Sequence, residues 1–436
     1  MTDIQIGLGG LALLFVLIAM RLPIGLVMIG VSFGGLYLLA GWNVAWSSLG
    51  LLPFNFAASW VLSAVPMFLL LGFLCHHAKL TEGLFRAARV WLQGLPGGLA
   101  IASVLGSAGF AAVSGSSIAC SATMGRIAVP EMTKAGYDPE LATGTVAVAG
   151  TIGALIPPSV IMLIFAVIAQ VPVTDLFIAG ITAGLLTALG YIAVIWIRVA
   201  LNPALAPRSG ERLPVRERIV MTRDSWPIAL IMLGVFTGLF GGAFTATEAG
   251  AIGAFLATIV ALAKGTLSPR VFLMAISDTV LTTSTMIIIG VGATVLTRFL
   301  VFSGAGDYLS DLVIATTSNP VIIMLGLVVL YLFLGLFLEP VGAMLLTLPL
   351  VLPIIGEANF DLVWFGIILT KLLEIGMVTP PVGMNVFVIK SVVGPLVTTS
   401  QIFRGIGWFL LMDLFVLGLL IAFPDLVLFP LKLIDG

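Results

Sequence analysis

Apolar runs of roughly 15–22 residues recur from end to end of the chain, as in Ile6–Met20, Ile24–Ala40, Ala57–Leu74, Leu176–Ile197 and Ile406–Phe423. A helix needs about 20 mostly apolar residues to cross the hydrocarbon core of a bilayer. Apolar and polar positions do not alternate along these runs, which excludes a transmembrane barrel. The pattern therefore predicts an all-α, polytopic membrane protein embedded in a lipid bilayer. Two of the apolar stretches are interrupted by paired prolines. "TIGALIPPSVIMLI" (Thr151 to Ile164) holds Pro157 and Pro158, and "EIGMVTPPVGMNVFVI" (Glu374 to Ile389) holds Pro380 and Pro381.

Composition agrees with the pattern. The 436 residues are 60% hydrophobic and 9% charged, against about 25% charged in an ordinary soluble domain. The net charge of −1 singles out no class of partner, and no nucleic-acid partner is expected. Residues 1–20 lack a basic segment and continue directly into a second apolar run, so no cleaved signal peptide is expected. Cys75 and Cys120 match no metal-ligand spacing and read as small buried residues. His76 and His77 end an apolar run, which suits an interfacial position better than ligation.

Basic residues set the orientation, because short cytoplasmic loops collect Lys and Arg. The densest polar segment, 198–225, carries Arg198, Arg208, Arg212, Arg216, Arg218 and Arg223 and is placed in the cytoplasm. Tracing spans outward from it puts every basic residue except Arg298, Lys371 and Lys432 on that side. The trace works only if 98–132 and 320–355 each enter and leave by one face. It yields about ten spans, two re-entrant hairpins and a periplasmic N-terminus. "HHAKLTEGLFRAARVWLQGLPG" suits an amphipathic helix on the cytoplasmic interface. In "GGAFTATEAGAIGA", Thr247 and Glu248 read as a helix start, a capping threonine with an acid in the first turn.

Pairing Pro157 with Pro380 sets an offset of 223 residues, at which Gly153 meets Gly376, Asp138 meets Asp361 and Pro130 meets Pro353. The first hairpin opens from inside and the second from outside, so the two halves read as inverted repeats with paired discontinuous helices, the build of secondary transporters. Proline has no N–H and clashes with the preceding turn, so Pro-Pro leaves peptide groups without partners. In lipid each would cost several kcal/mol, so the break belongs where it is buried in protein or lines a polar site. Freed carbonyls can ligate a small cation such as Na⁺, and half-helix N-termini can receive an anion. The bland alternative is a short loop between two separate spans.

The first hairpin carries Ser114, Gly115, Ser116 and Ser117 near its middle. Serine hydroxyls offer neutral oxygens and glycine permits a sharp turn, a tip suited to Na⁺ or to a carboxylate. Small residues elsewhere in it, such as Gly106, Gly109 and Ala119, read as close helix packing. The second hairpin carries Glu339 beside Pro340 and Gly342 in an otherwise apolar stretch. An ionisable group there is expensive, so Glu339 either closes the turn by accepting backbone N–H groups or adds charge near a cation. Lys371 and Glu374, three apart, read as a structural ion pair on one helix face. Arg298 reads as snorkelling to an interface. HExxH, GxSxG and P-loop motifs are absent, so neither an intramembrane enzyme nor ATP hydrolysis is expected.

"VSGSSIACSATMG", "PEMTKAGYDPELATG", "GTIGALIPPSVIMLIFA", "FTATEAGAIGA" and "GMVTPPVGMNVF" resemble, in order and over nearly the whole chain, the large membrane subunit of tripartite ATP-independent periplasmic (TRAP) transporters. One departure is Ala246, where that family usually has proline. The resemblance implies an ion-transporter-type fold with a scaffold and a mobile transport domain. It also implies Na⁺-coupled, elevator-type uptake of an organic anion such as a C4-dicarboxylate, sialic acid or another sugar acid, in the bacterial inner membrane. The implied partners are a small four-helix membrane subunit and a periplasmic substrate-binding protein. Carried over, the Na⁺ sites fall at Ser114, Gly115, Ser116 and Ser117 with Gly153, Pro157 and Ser159, and at Glu339 and Gly342 with Gly376, Thr379, Pro380, Gly383 and Asn385. The anion is expected at Ser116, Ser117, Pro158, Pro381 and Asn385. The implied division is 1–95 scaffold and interfacial arm, 96–172 first transport elements, 173–300 scaffold spans, 301–395 second transport elements and 396–436 C-terminal helix. The alternative is a channel-like permease for small anions without ion coupling.

Overall fold

Every regular element among the described residues of the computed structural model (2–207, 214–317 and 319–434) is helical. Arg208 and Arg212 of the basic segment lie outside the described residues. The chain opens with α1 (Asp3–Ala19), α2 (Ile24–Ala57), α3 (Ala64–His77) and α4 (Glu82–Leu92). Next come α5 (Gly98–Ser114), α6 (Ser117–Lys134), α7 (Pro139–Ala149), α8 (Val160–Ala169) and α9 (Val173–Leu201). The middle holds α10 (Val215–Arg223), α11 (Trp226–Phe240), α12 (Ala246–Ala263), α13 (Pro269–Ser303) and α14 (Ala305–Thr316). The last third holds α15 (Pro320–Gly335), α16 (Pro340–Glu357), α17 (Leu362–Gly376), α18 (Met384–Val393), α19 (Thr399–Ala422) and α20 (Asp425–Ile434).

Six described helices, α2, α9, α12, α13, α16 and α19, are long and apolar enough to cross a membrane, and up to eight crossings result if two bent pairs each count as one. This is fewer than the sequence expectation of about ten; α1 and parts of the two proline-broken segments are shorter apolar helices. The broken segments consist of helices of 10–15 residues, too short to span singly at 1.5 Å per residue. Large apolar side chains such as Leu38, Phe54 and Val301 are about two-thirds exposed or more, which water would not tolerate over so wide a surface and lipid does.

Packing divides the core into two buried clusters. One runs through α2, α3, α12, α13 and α15–α17, the other through α5–α7, α18 and α19. The arm predicted to lie on the interface is α4, bent 65° from the helix before it. Its apolar face is not given to lipid. Phe85 and Val90 are buried, α4 packs against α5 and α10, and Gly83 abuts the Asp224 carbonyl. The basic segment is partly helical: Arg198 lies within α9, and α10 carries Arg216, Arg218 and Arg223.

The start of α12 corrects the sequence reading by two residues. Thr245, not Thr247, is the cap: its Oγ1 accepts from Glu248 N at 3.3 Å while Glu248 Oε2 accepts from Thr245 N at 2.8 Å. Thr247 lies inside the helix and donates to the Trp60 carbonyl. Thr245→Ala removes this reciprocal pair and is expected to lower stability by about 1 kcal/mol, read by equilibrium unfolding in detergent; Thr245→Ser should keep most of it.

Candidate functional site

Two helix pairs turn tightly beside the two proline breaks. Between α5 and α6 the chain reverses through Gly115 at φ +58°, and a Cβ there would stand 2.8 Å from the Pro158 carbonyl oxygen. Only glycine lets this turn press onto the first break. Ser116 caps α6, its Oγ accepting from Ala119 N at 3.4 Å, and Ser159 caps α8 in the same way through Met162 N. Gly153, in the tight turn after α7, packs against Ala111 and the backbone of Ser116. Pro157 and Pro158 are buried.

The second break is built differently. Glu339 caps α16, Oε1 accepting from Gly342 N at 2.6 Å, which is the turn-closing role open to it from the sequence. Gly376 at the end of α17 meets Gly335 of α15 backbone to backbone; a Cβ on Gly376 would lie 2.6 Å from the Gly335 Cα. Beyond it Thr379 Oγ1 donates to the Ile375 carbonyl, and Asn385 N folds back to donate to the Met377 carbonyl. Pro380 and Pro381 are exposed, a departure from the first break. The neighbouring helix pair makes its close contact earlier in the chain, at Gly376, and leaves the proline turn uncovered. Both Pro-Pro peptide bonds are cis.

A cavity of about 400 Å³ brings the two turns together. Gly115, Ser116, Ser117 and Val160 form one side, Glu339, Pro340 and Val341 a second, Glu374 and Met377 a third, while Phe73 and His76 of α3 and Asp278 of α13 close it. Ser114, Gly153, Pro157, Pro158 and Ser159 do not line it and stand behind the first turn as its support. Gly342 is tied to Glu339. Gly376, Thr379, Pro380, Pro381, Gly383 and Asn385 are not on its wall. Asn385 is buried, with Nδ2 donating to the Ala147 carbonyl at 3.4 Å and Oδ1 unpartnered.

Glu374 is the residue whose partner the sequence reading misassigned. It was expected to pair with Lys371. Instead Lys371 Nζ reaches across to Asp413 of α19 and to Thr187 of α9, and Asp413 also accepts from the Tyr191 hydroxyl at 2.7 and 2.8 Å. Glu374 Oε2 accepts from Ser117 Oγ at 2.6 Å, joining the first turn to the helix before the second break, and its Oε1 has no partner. Lys371, Glu374 and Asp413 are the fully buried charged residues among those described, each about 1% exposed. Two of them neutralise each other. Glu374 has no ion-pair partner among the described residues, and an uncompensated charge on it would cost several kcal/mol. A cation or a proton has to supply the missing positive charge.

Oxygens suited to a cation are at hand. Ser121 Oγ, Thr145 Oγ1 and Asn385 Oδ1 are buried without partners, as is Glu374 Oε1. Gly150 sits so close to Ser121 Oγ and the Ser117 carbonyl that a Cβ would lie 2.1 and 2.9 Å from them. Neutral hydroxyl, amide and carbonyl oxygens with one carboxylate are the donor types a hard cation takes. Among the described residues no three His, Cys, Asp or Glu side chains are grouped as a metal centre.

Comparison with known proteins gives a consistent picture. The family model described as the tripartite ATP-independent periplasmic transporter, DctM component, matches residues 11–426. The C4-dicarboxylate TRAP transporter large permease protein DctM of Pseudomonas aeruginosa is 34% identical over 378 residues, covering 85% of this chain and 86% of that protein. The sialic acid TRAP transporter large permease protein SiaM of Vibrio cholerae is 29% identical over 427 residues, covering 95% and 97%. Among solved structures, the YdaH transporter of Alcanivorax borkumensis superposes with a TM-score of 0.61 at 17% identity, over 89% of this chain and 90% of that one, a likeness of fold. These relatives are transporter proteins, in line with a chain that is not an enzyme. The chain belongs to the DctM-component family of TRAP transporters and is a multi-pass large permease subunit.

Proposed function

We propose that this subunit carries out Na⁺-coupled uptake of an organic anion across the bacterial inner membrane, with its N-terminus in the periplasm. A periplasmic binding protein delivers the anion and a small four-helix membrane subunit completes the transporter. The anion is of the C4-dicarboxylate, sialic acid or related sugar-acid class, as the names of the relatives suggest. The two turns and the two broken helices, in inverted repeats, belong to a transport domain that moves as an elevator against a scaffold of the α1–α3 and α11–α13 segments.

The observation that carries the reading is the buried, half-partnered carboxyl of Glu374 beside the cavity where both turns meet. A co-transported Na⁺ held by Glu374, Ser117 and the unpartnered oxygens of Ser121 and Asn385 removes the cost of that charge. The cation in turn favours a carboxylate at Ser116 and Ser117, so each ligand raises the affinity for the other. That reciprocity is what couples uptake to a Na⁺ gradient.

The test is uptake into vesicles with panels of organic acids, with Na⁺ replaced by K⁺ and with the proton gradient collapsed separately. Uptake should fall at least about tenfold without Na⁺ and persist without the proton gradient, since a coupling free energy of 1–3 kcal/mol corresponds to roughly 5–150-fold. Uptake indifferent to both gradients would instead identify an ion-independent permease, and uptake following the proton gradient would make Glu374 a proton carrier.

A further inference from the structure

We propose that a second polar cavity, separated from the first by His76, is a carboxylate-binding subsite on the cytoplasmic exit path. It rests on the reading that an organic anion leaves through the cavity between the two turns. This cavity measures about 350 Å³ and is lined by His76, His77, Lys79, Thr81, Glu82, Thr123, Arg126 and Ile127. His76 also lines the first cavity, so its ring is a shared wall.

The polar groups around it are set up for an anion. Arg126 and Lys79 both line the space, and among the described residues neither has a carboxylate within ion-pair distance. Glu82 is the one carboxylate on the wall, so cations outnumber it before the histidines are counted. His77 is already committed, its Nε2 lying 2.7 Å from Asp278 Oδ2. Thr81 is 5% exposed and its Oγ1 has no partner, a buried donor that a carboxylate oxygen would satisfy. A buried hydroxyl left unpaired costs free energy that a bound anion restores.

The wall is also removable. His76 Nδ1 lies 2.8 Å from Thr123 Oγ1 of α6, a single bond between α3 and the helix that carries Ser117. Breaking it leaves the ring that separates the two spaces held by edge contacts to Phe110 and His77, over which it can swing. The anion would then pass from Ser116 and Ser117 to Arg126, Lys79 and Thr81 without crossing an apolar barrier. The cavity lies beside α4, whose Arg86 pairs with Asp224 next to α10, the side the basic residues assign to the cytoplasm.

The experiment places a single reactive cysteine on this wall, Ile127→Cys, with Cys75 and Cys120, both buried, replaced by alanine. Inside-out membrane vesicles carrying the full chain are treated with an anionic sulfonatoethyl or a cationic trimethylammonioethyl methanethiosulfonate. Relative to their rates with a free thiol in solution, the anionic reagent should react about tenfold faster, as a cleft of one charge sign raises local counter-ion concentration. Arg126→Gln with Lys79→Gln should bring the ratio close to one. Succinate or sialic acid should slow labelling, and Thr81→Val should weaken that protection. Thr123→Cys gives a second reporter should Ile127→Cys fail to accumulate. A ratio near one in the parent, or a ratio with no protection by either acid, overturns the subsite. None of these readouts uses uptake or a Na⁺ gradient, so their failure is distinct from a failure of Na⁺ coupling.

Discussion

Glu374→Gln is expected to shift the Na⁺ dependence of uptake to much higher concentrations while leaving the protein folded and inserted. Glutamine keeps the shape of the side chain and can still accept from Ser117 Oγ, so the bridge between the first turn and α17 survives. The negative charge does not. With Lys371 and Asp413 already paired, the site loses the charge that makes a cation favourable there. A bond to a charged group is worth about 1.5–3 kcal/mol, so apparent Na⁺ affinity should fall about 10- to 100-fold at 1.36 kcal/mol per decade. Stability in detergent should hold or rise, because a buried ionisable group without an ion-pair partner has been replaced by a neutral one. The measurement is uptake against Na⁺ concentration beside thermal unfolding of the same preparation. An unchanged Na⁺ dependence would remove Glu374 from the cation site. A variant that loses stability instead would assign the residue to structure.

What the sequence made legible follows from local physics. Asp138 and Asp361, matched at the 223-residue offset, both cap the helix that precedes a break, accepting from Leu141 N and Trp364 N. Gly115 and the serines around it form the turn their residue types suit. The failures are long-range. Lys371 was assigned its neighbour on the same helix face because that spacing is visible in the chain, whereas its partner is 42 residues away on α19. A signal for it existed: Asp413 is a lone acid in the apolar run "FLLMDLFVLG", as costly there as Glu339 in its own stretch. The unequal burial of the two proline pairs had no local signal. It depends on where α15 and α5 approach the breaks, and both breaks read alike as strings of residues.

Asp413→Ala is expected to be the most destabilising single change in the chain. Asp413 accepts from Lys371 and from the Tyr191 hydroxyl, which lies between its two oxygens, and all three are buried. Without it Lys371 keeps only Thr187 at 3.1 Å, and Tyr191 keeps Thr151 at 3.2 Å. Removing one partner of a buried pair costs about 3–5 kcal/mol, measurable by equilibrium unfolding in detergent. The double change Lys371→Met with Asp413→Leu should recover most of it, since apolar residues of similar volume commonly replace a buried pair without loss. The two variants should also part in function. In Asp413→Ala the freed ammonium stands three residues from Glu374 on the same helix, within reach of its unpartnered oxygen. An internal cation then does the work of the transported one, and whatever protein folds should take up substrate with little response to Na⁺. The double variant has no such cation and should keep its Na⁺ dependence. Equal Na⁺ dependence in both would mean that the Lys371–Asp413 pair is a structural tie alone, and that it does not hold a positive charge away from the cation site.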